Sequence, residues 1–114
     1  MTISSTITWF LTLFHLETLR IITLLPHLSR VCTEDTKLNL CAEQSIDIAK
    51  GTIIKVPTHA FHHDEQYFVE PHVFKPERFD NAGHLEFMKK GIFLPFGDGP
   101  RICMGKFRNL IFLN

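Results

Sequence analysis

A single cysteine near the end of the chain, Cys103, has the sequence surroundings of a metal-binding thiolate. It lies in the stretch F-L-P-F-G-D-G-P-R-I-C-M-G, residues 93–105, two positions after Arg101. Because glycine loses the most backbone freedom on ordering, the three glycines of this stretch favour a specially shaped loop over a helix or a strand. Backbone N–H groups around the sulfur would stabilise a thiolate, a soft metal ligand that haem iron accepts. The alternative is that Cys103 is a small buried hydrophobic residue, as free cysteines often are.

The other cysteines and the histidines form no recognisable ligand pattern. Cys32, Cys41 and Cys103 make an odd number without a C-x-x-C pair. This argues against a disulfide framework and a structural zinc site, and it favours a reducing compartment. The seven histidines include the pair His62 and His63, but no spacing comparable to H-E-x-x-H is present. We therefore interpret the histidines as surface and loop residues.

Composition indicates one modest domain with much apolar surface. The 114 residues carry 12 basic and 12 acidic side chains, with 45% hydrophobic residues and 11 phenylalanines. The absence of net charge gives no electrostatic reason to expect nucleic acid or a strongly charged substrate as a partner.

The N-terminal stretch predicts a helix that needs cover on more than one side. Apolar residues recur at helical spacing, which favours a helix that continues to about Leu19: Ile7, Phe10, Leu11 and Phe14. The first 16 residues are uncharged, but Glu17 and Arg20 follow at once, so neither a signal peptide nor a membrane span fits. Glu17 and Arg20 are three residues apart and can pair on one helical face.

The middle of the chain predicts a small sheet followed by an ordered coil. One strand candidate, residues 30–40, is broken by a turn at Glu34 and Asp35, and residues 52–56 form a second candidate that ends at Val56. Together they suggest a sheet of two or three strands, whereas residues 41–50 carry little signal. Residues 60–80 have no sustained hydrophobic periodicity, which predicts an ordered coil held in place by aromatic side chains.

The cysteine loop resembles the F-x-x-G-x-R-x-C-x-G signature of the cytochrome P450 superfamily, the haem-thiolate monooxygenases. The matching residues are Phe96, Gly97, Gly99, Arg101, Cys103 and Gly105. Two further elements of the family are present, L-E-T-L-R-I around Glu17 and Arg20, and P-E-R-F around Arg78. The resemblance covers about residues 16–106 and is closest to the insect microsomal members.

The resemblance implies an α+β chain that is the C-terminal, proximal haem-binding fragment of the mainly α cytochrome P450 fold. Its parts would be an N-terminal helix, a small β-sheet, a long ordered coil and the cysteine loop. Residues 1–114 would be one partial domain, without a second domain. Residues 93–105 would form an irregular loop that leads into a helix beginning near Cys103.

The resemblance also implies roles for the site residues. Cys103 would be the axial ligand of a haem b iron. The other cofactor-binding residues would be Phe96 against the proximal haem face, Arg101 on a propionate, and Gly97, Gly99 and Gly105. Glu17, Arg20 and Arg78 would form a buried charge cluster with a structural role, and no residue is assigned to catalysis.

Partners and location follow from the family in the same way. They would be an NADPH-dependent flavoprotein reductase and a hydrophobic small-molecule substrate oxidised with O2. Full-length relatives lie on the cytosolic face of the endoplasmic reticulum, but the chain shows no membrane anchor, and without one it would be cytoplasmic.

Whether the chain is itself an enzyme is left open by its sequence. It contains no A/G-G-x-D/E-T stretch of the distal oxygen-activating helix. The alternative is therefore a catalytically inactive truncated gene product or a partner-binding remnant, and we expect no monooxygenase turnover by these residues alone. A free-standing haem or electron-transfer module is a third interpretation, weakened by a thiolate-bound haem with one face open to water.

Overall fold

The computed structural model describes residues 2–41, 43–81 and 83–106 and has the predicted α+β character. In chain order the elements are α1 (Ile3–Ile21), β1 (Leu28–Val31), β2 (Thr36–Cys41), β3 (Gln44–Ile48), β4 (Ile53–Val56), α2 (Thr58–His62), a 3-10 helix (Pro76–Phe79), α3 (Gly83–Lys89) and a second 3-10 helix (Gly99–Arg101). The chain divides into two compact units. One unit is formed by residues 27–57, and the other by the residues before and after them.

Helix α1 confirms the predicted N-terminal helix and ends at Ile21, slightly beyond the predicted end near Leu19. It begins after Thr2, whose hydroxyl accepts the Ser5 backbone N–H, and the N–H of Ile22 closes the last turn on the Thr18 carbonyl. Its buried side consists of Leu13, Leu16, Glu17, Leu19 and Arg20. The apolar stripe that carried the prediction, Ile7, Phe10, Leu11 and Phe14, is 48 to 54% exposed.

The same helix does not have the composition of a membrane span. No helix within the described ranges combines the length and the apolar character needed to cross a bilayer.

The core of the larger unit is mainly aromatic. Its buried members are Leu13, Leu16, Phe68, Phe79 and Phe93, and the half-buried Phe87 and Met88 pack against them. The Phe79 ring lies between two others, with its centroid 4.9 Å from that of Phe93 and 5.9 Å from that of Phe87. Offset and edge-on pairs of this kind add to the free energy gained by burial alone. Phenylalanines from the coil region therefore attach that region to α1.

The smaller unit, residues 27–57, contains two antiparallel strand pairs in place of the single sheet that we predicted. Strands β1 and β4 pair from Leu28 opposite Val56 to Val31 opposite Ile53. Strands β2 and β3 form a hairpin with Thr36 opposite Ile48 and an irregularity at Asn39 and Cys41. Strand β3 falls in residues 41–50, a stretch with little strand signal because only two isoleucines alternate with polar residues.

The segment after β4 is more structured than the predicted coil. Helix α2 and the Pro76–Phe79 3-10 helix both lie within or next to residues 60–80, so the prediction of a continuous coil was partly wrong. Both elements are too short to produce a visible period, although proline at the first helical position favours such a turn. Gly83 then lets α3 begin close to Arg78, because a Cβ there would lie 2.8 Å from the Arg78 carbonyl oxygen.

We predict that Phe79→Ala destabilises the chain by about 3–5 kcal/mol, the usual loss for a fully buried phenylalanine. Phe79 is 1% exposed, whereas Phe10, the matched control, is 53% exposed. Phe10→Ala should change the free energy of unfolding by no more than about 0.5 kcal/mol. Urea unfolding followed by circular dichroism measures both. Equal effects of the two substitutions would contradict the assigned core.

Candidate functional site

A buried carboxylate, that of Glu17, joins two arginines that are far apart in the sequence. Arg20 Nε and Nη2 donate to Glu17 Oε2 and Oε1 over 2.9 and 2.8 Å. Arg78 Nε and the Lys75 backbone N–H donate to the same Oε1 over 3.1 and 3.0 Å. Glu17 and Arg20 are fully buried, and the Arg78 side chain is 10% exposed. The structure thus brings together the three residues that the sequence grouped as a charge cluster.

The remaining arginine donors bind backbone carbonyls of the irregular segment. Arg20 Nη1 donates to the His62 carbonyl over 2.6 Å, and its Nη2 donates to the Pro71 carbonyl over 2.8 Å. Arg78 donates to the carbonyls of Val69 and Val73 over 3.0 and 3.2 Å. Because buried carbonyls need donors, the Arg20 guanidinium satisfies the carbonyls of His62 and Pro71, whereas the Arg78 contacts lie at the surface.

The cluster keeps Glu17 ionised. Burial by itself would raise the pKa of Glu17, but the Arg20 side chain, the Lys75 amide and the charges of both arginines outweigh it, so the pKa is lowered. A carboxyl group with a lowered pKa stabilises the folded state above its unfolded pKa and loses that contribution as the pH falls through the folded value. The cluster is therefore intact at neutral pH.

His62 is buried and contacts the start of the cysteine loop, so our interpretation of the histidines as surface and loop residues was wrong for this one. Its side chain is fully buried, and its Nε2 accepts the Leu94 backbone N–H over 3.0 Å. Its Nδ1 lies 3.3 Å from Thr23 Oγ1, and its ring centroid lies 5.2 Å from that of Phe93. Burial in a short helix without a period leaves no sequence signal, so only the structure reveals this contact.

The environment of His62 favours the neutral imidazole. Burial first, and then the neighbouring charges of His63, Arg20 and His59, lower the pKa of His62 to about 4. Neutral imidazole has one acceptor nitrogen, and the Leu94 amide uses it.

The loop that carries Cys103 has the irregular shape expected from its glycines. Gly97 and Gly99 have φ of 71° and 75°, values that side chains disfavour. Asp98 accepts the Gly99 N–H over 2.8 Å and caps the short 3-10 helix Gly99–Arg101. The loop then returns on itself, because the Cys103 N–H donates to the Phe96 carbonyl over 2.9 Å. Cys103 is thereby held at a fixed distance from the loop start.

The thiol of Cys103 is free and exposed. Gly105 leaves room beside it, because a Cβ at this position would lie 3.4 Å from the Cys103 Sγ. Arg101 is also exposed, and Phe96 is half-buried. Gly105 and Lys106 are helical, with the Lys106 N–H donating to the Cys103 carbonyl over 3.1 Å. The rest of the helix predicted after Cys103 lies outside the described residues.

The described part of the chain holds no preformed cluster of side-chain ligands for a metal ion. Within residues 2–41, 43–81 and 83–106, no group of three or more His, Cys, Asp or Glu side chains is placed to hold a metal ion. The cavity beside the loop, next to Phe93, Phe96 and Lys106, has a volume of about 40 Å³. That is room for no more than a water molecule or two. This cavity is therefore too small for a group as large as haem.

Comparison of the sequence with known proteins identifies the family to which the chain belongs. A family model described as cytochrome P450 matches residues 8–107. Similar proteins include probable cytochrome P450 309a2 of Drosophila melanogaster, 55% identical over 89 residues, which cover 78% of this chain and 16% of that protein. Cytochrome P450 3A11 of Mus musculus is 42% identical over 91 residues, again covering 78% of this chain and 16% of the relative.

A further relative is probable cytochrome P450 28d1 of Drosophila melanogaster. It is 43% identical over 91 residues, which cover 78% of this chain and 18% of that protein. The chain thus spans about a sixth of the length of the curated relatives that it matches.

We predict that Glu17→Gln destabilises the chain by about 3–5 kcal/mol, because two buried guanidiniums lose their counter-charge. Glu86→Gln is the control, since Glu86 pairs with Lys90 on the exposed face of α3 and should have little effect. Urea unfolding at neutral pH measures both variants. Similar stabilities of the two variants would show that the cluster does not hold the fold together.

We also predict that stability falls as the pH is lowered from 6.5 to 4, in part because of His62. Its pKa is depressed to about 4, so the unfolded state binds the proton first and unfolding becomes easier through this window. The full shift corresponds to about 3 kcal/mol. The difference in pH dependence between wild type and His62→Gln isolates this contribution from those of Glu17 and the other histidines. Parallel pH profiles would contradict it.

Proposed function

Because this chain belongs to the cytochrome P450 family, we propose that it supplies the haem-ligating segment of a haem-thiolate monooxygenase, with Cys103 as the ligand of the iron. The observation that carries the proposal is the position of the thiol. Cys103 is exposed on a glycine-rich loop whose backbone is closed by the bond from its own N–H to the Phe96 carbonyl.

The donor set fits haem better than it fits a bare metal ion. A structural metal ion usually takes several protein ligands, whereas no group of three or more His, Cys, Asp or Glu side chains in the described residues could hold one. A porphyrin brings its own ring of nitrogen donors, so its iron needs only an axial ligand from the protein.

In this proposal the residues of the loop have different roles in binding the cofactor, haem b. Cys103 would supply its thiolate to the iron, and Phe96 would pack against the haem and shield the sulfur. Arg101, exposed on its 3-10 helix, supplies a guanidinium for a propionate. Gly97, Gly99 and Gly105 allow the backbone to come close to the ring. When bound, haem supplies the oxygen-activating redox chemistry, which a thiolate ligand promotes.

The wider activity follows from the family. In this proposal residues 1–114 belong to one cytochrome P450 domain, its proximal part. The protein takes electrons from an NADPH-dependent flavoprotein reductase and oxidises hydrophobic small molecules with O2. It acts at the cytosolic face of the endoplasmic reticulum. Glu17, Arg20 and Arg78 have a structural role, since they bind one another and backbone carbonyls.

Haem titration of the purified chain tests the proposal. The reduced protein with carbon monoxide should show the red-shifted Soret band of thiolate ligation, and Cys103→Ala should lose it because the only proposed ligand is gone. Cys41→Ala is the control, since Cys41 is also free and exposed. A band that survives Cys103→Ala, or one that is absent from the wild type, would contradict the assignment.

A further inference from the structure

His62 is fully buried, although its neighbours in the sequence are exposed or half-buried. It ends helix α2, yet its side chain is fully buried between the end of α1 and the start of the cysteine loop. Its backbone carbonyl accepts Arg20 Nη1 over 2.6 Å, and its ring nitrogens face Thr23 and Leu94. One residue thus contacts the charge cluster through its backbone and the cysteine loop through its side chain.

The hydrogen bonds around the ring specify one tautomer. The Leu94 N–H can only donate, so Nε2 must be the unprotonated acceptor. The proton of the neutral ring is then on Nδ1, facing Thr23 Oγ1. The Thr23 hydroxyl donates to the Arg20 carbonyl over 3.1 Å, which leaves its oxygen free to accept from Nδ1. The hydrogen bonds thus run in one direction, from the Leu94 N–H to the His62 ring, from the ring to Thr23, and from Thr23 to the Arg20 carbonyl.

A protonated ring would break the arrangement. It would direct an Nε2–H at the Leu94 N–H, which places two donors against each other. The charged and titratable groups that face the ring are Arg20 from α1 and His59 and His63 from α2 and its end. All of them are cationic when protonated, so they oppose a second positive charge on the imidazole.

Two backbone hydrogen bonds connect Leu94 to Cys103. The Leu94 carbonyl accepts the Gly97 N–H over 3.3 Å, which forms the first turn of the loop. Phe96, inside that turn, accepts the Cys103 N–H over 2.9 Å. A displacement at Leu94 therefore shifts the carbonyl to which the Cys103 backbone is bound.

We propose that His62 is a positioning residue for the Cys103 thiol. Its neutral imidazole accepts the Leu94 amide and holds the first turn of the cysteine loop against the end of α1. The effect of this hydrogen bond on iron ligation rests on the proposed haem-binding function. The existence of the hydrogen bond between His62 and Leu94 does not depend on that function.

The first measurement needs no variant and no haem. Nitrogen-15 NMR of the labelled chain at neutral pH should show His62 protonated on Nδ1 and unprotonated on Nε2, with a slowly exchanging Leu94 amide. A proton on Nε2, or a Leu94 amide that exchanges as fast as an exposed one, would overturn the proposal. This readout remains available if a substitution prevents folding.

The second measurement compares variants that keep or remove the acceptor. His62→Leu should accelerate exchange of the Leu94 amide by about tenfold, the effect of losing one net hydrogen bond. His62→Gln retains a carbonyl oxygen that can accept the same N–H, so exchange should stay near the wild-type rate. His27→Leu, a change at an exposed histidine of the other unit, is the control. Unchanged Leu94 exchange in His62→Leu would overturn the proposal.

The third measurement connects the bond to the thiol. In haem-loaded protein, the fraction of reduced carbon monoxide complex with thiolate ligation should fall in His62→Leu and be retained in His62→Gln. Lost Leu94 protection together with an unchanged thiolate band would overturn the positioning role. Absence of the thiolate band from the wild-type chain would refute the proposed function. The tautomer and exchange data would still show by themselves whether His62 accepts the Leu94 amide.

Discussion

The buried carboxylate of Glu17 is the constraint on which the larger unit depends. It accepts hydrogen bonds from Arg20, Arg78 and the Lys75 amide, and it has no exposure to solvent. A charge buried in this way costs desolvation energy that its partners largely offset, so its main effect is to disfavour other arrangements. A different path for residues 75–78 would take the Lys75 amide and the Arg78 guanidinium away from the buried Glu17 carboxylate. The path is thus specified electrostatically, although the segment has little regular secondary structure.

From this cluster, hydrogen bonds lead to the cysteine loop. Arg20 binds the backbone of His62, the His62 ring binds the Leu94 amide, and Phe96 binds the Cys103 amide. Apolar packing follows the same route, since Phe93 contacts both Phe79 and the His62 ring. The position of a thiol on a loop is only as precise as the contacts that support the loop. Here the support combines one ionic cluster, one imidazole and a group of aromatic rings in tilted and edge-on contact.

The sequence predicted those features that have a local or motif-based signal. Helix α1 and strand β4 follow from periodicity and β-branched residues, and the meeting of Glu17 with Arg78 followed from the family resemblance alone. Strand β3, helix α2 and the 3-10 helices are too short or too polar for a period to reveal them. The burial of His62 depends on contacts between residues more than thirty positions apart, with Leu94 and Thr23 on either side. Local sequence carries no information about such contacts.

A double-mutant cycle on Glu17 and Arg78 tests the central claim most directly. Glu17→Gln, Arg78→Met and the double variant are compared by urea unfolding at neutral pH. If the carboxylate joins α1 to the Pro76–Phe79 turn, the double variant should be more stable than the sum of the single losses predicts, by more than about 1 kcal/mol. Losses that add within about 0.5 kcal/mol would show that the two side chains act independently, and the account would be contradicted.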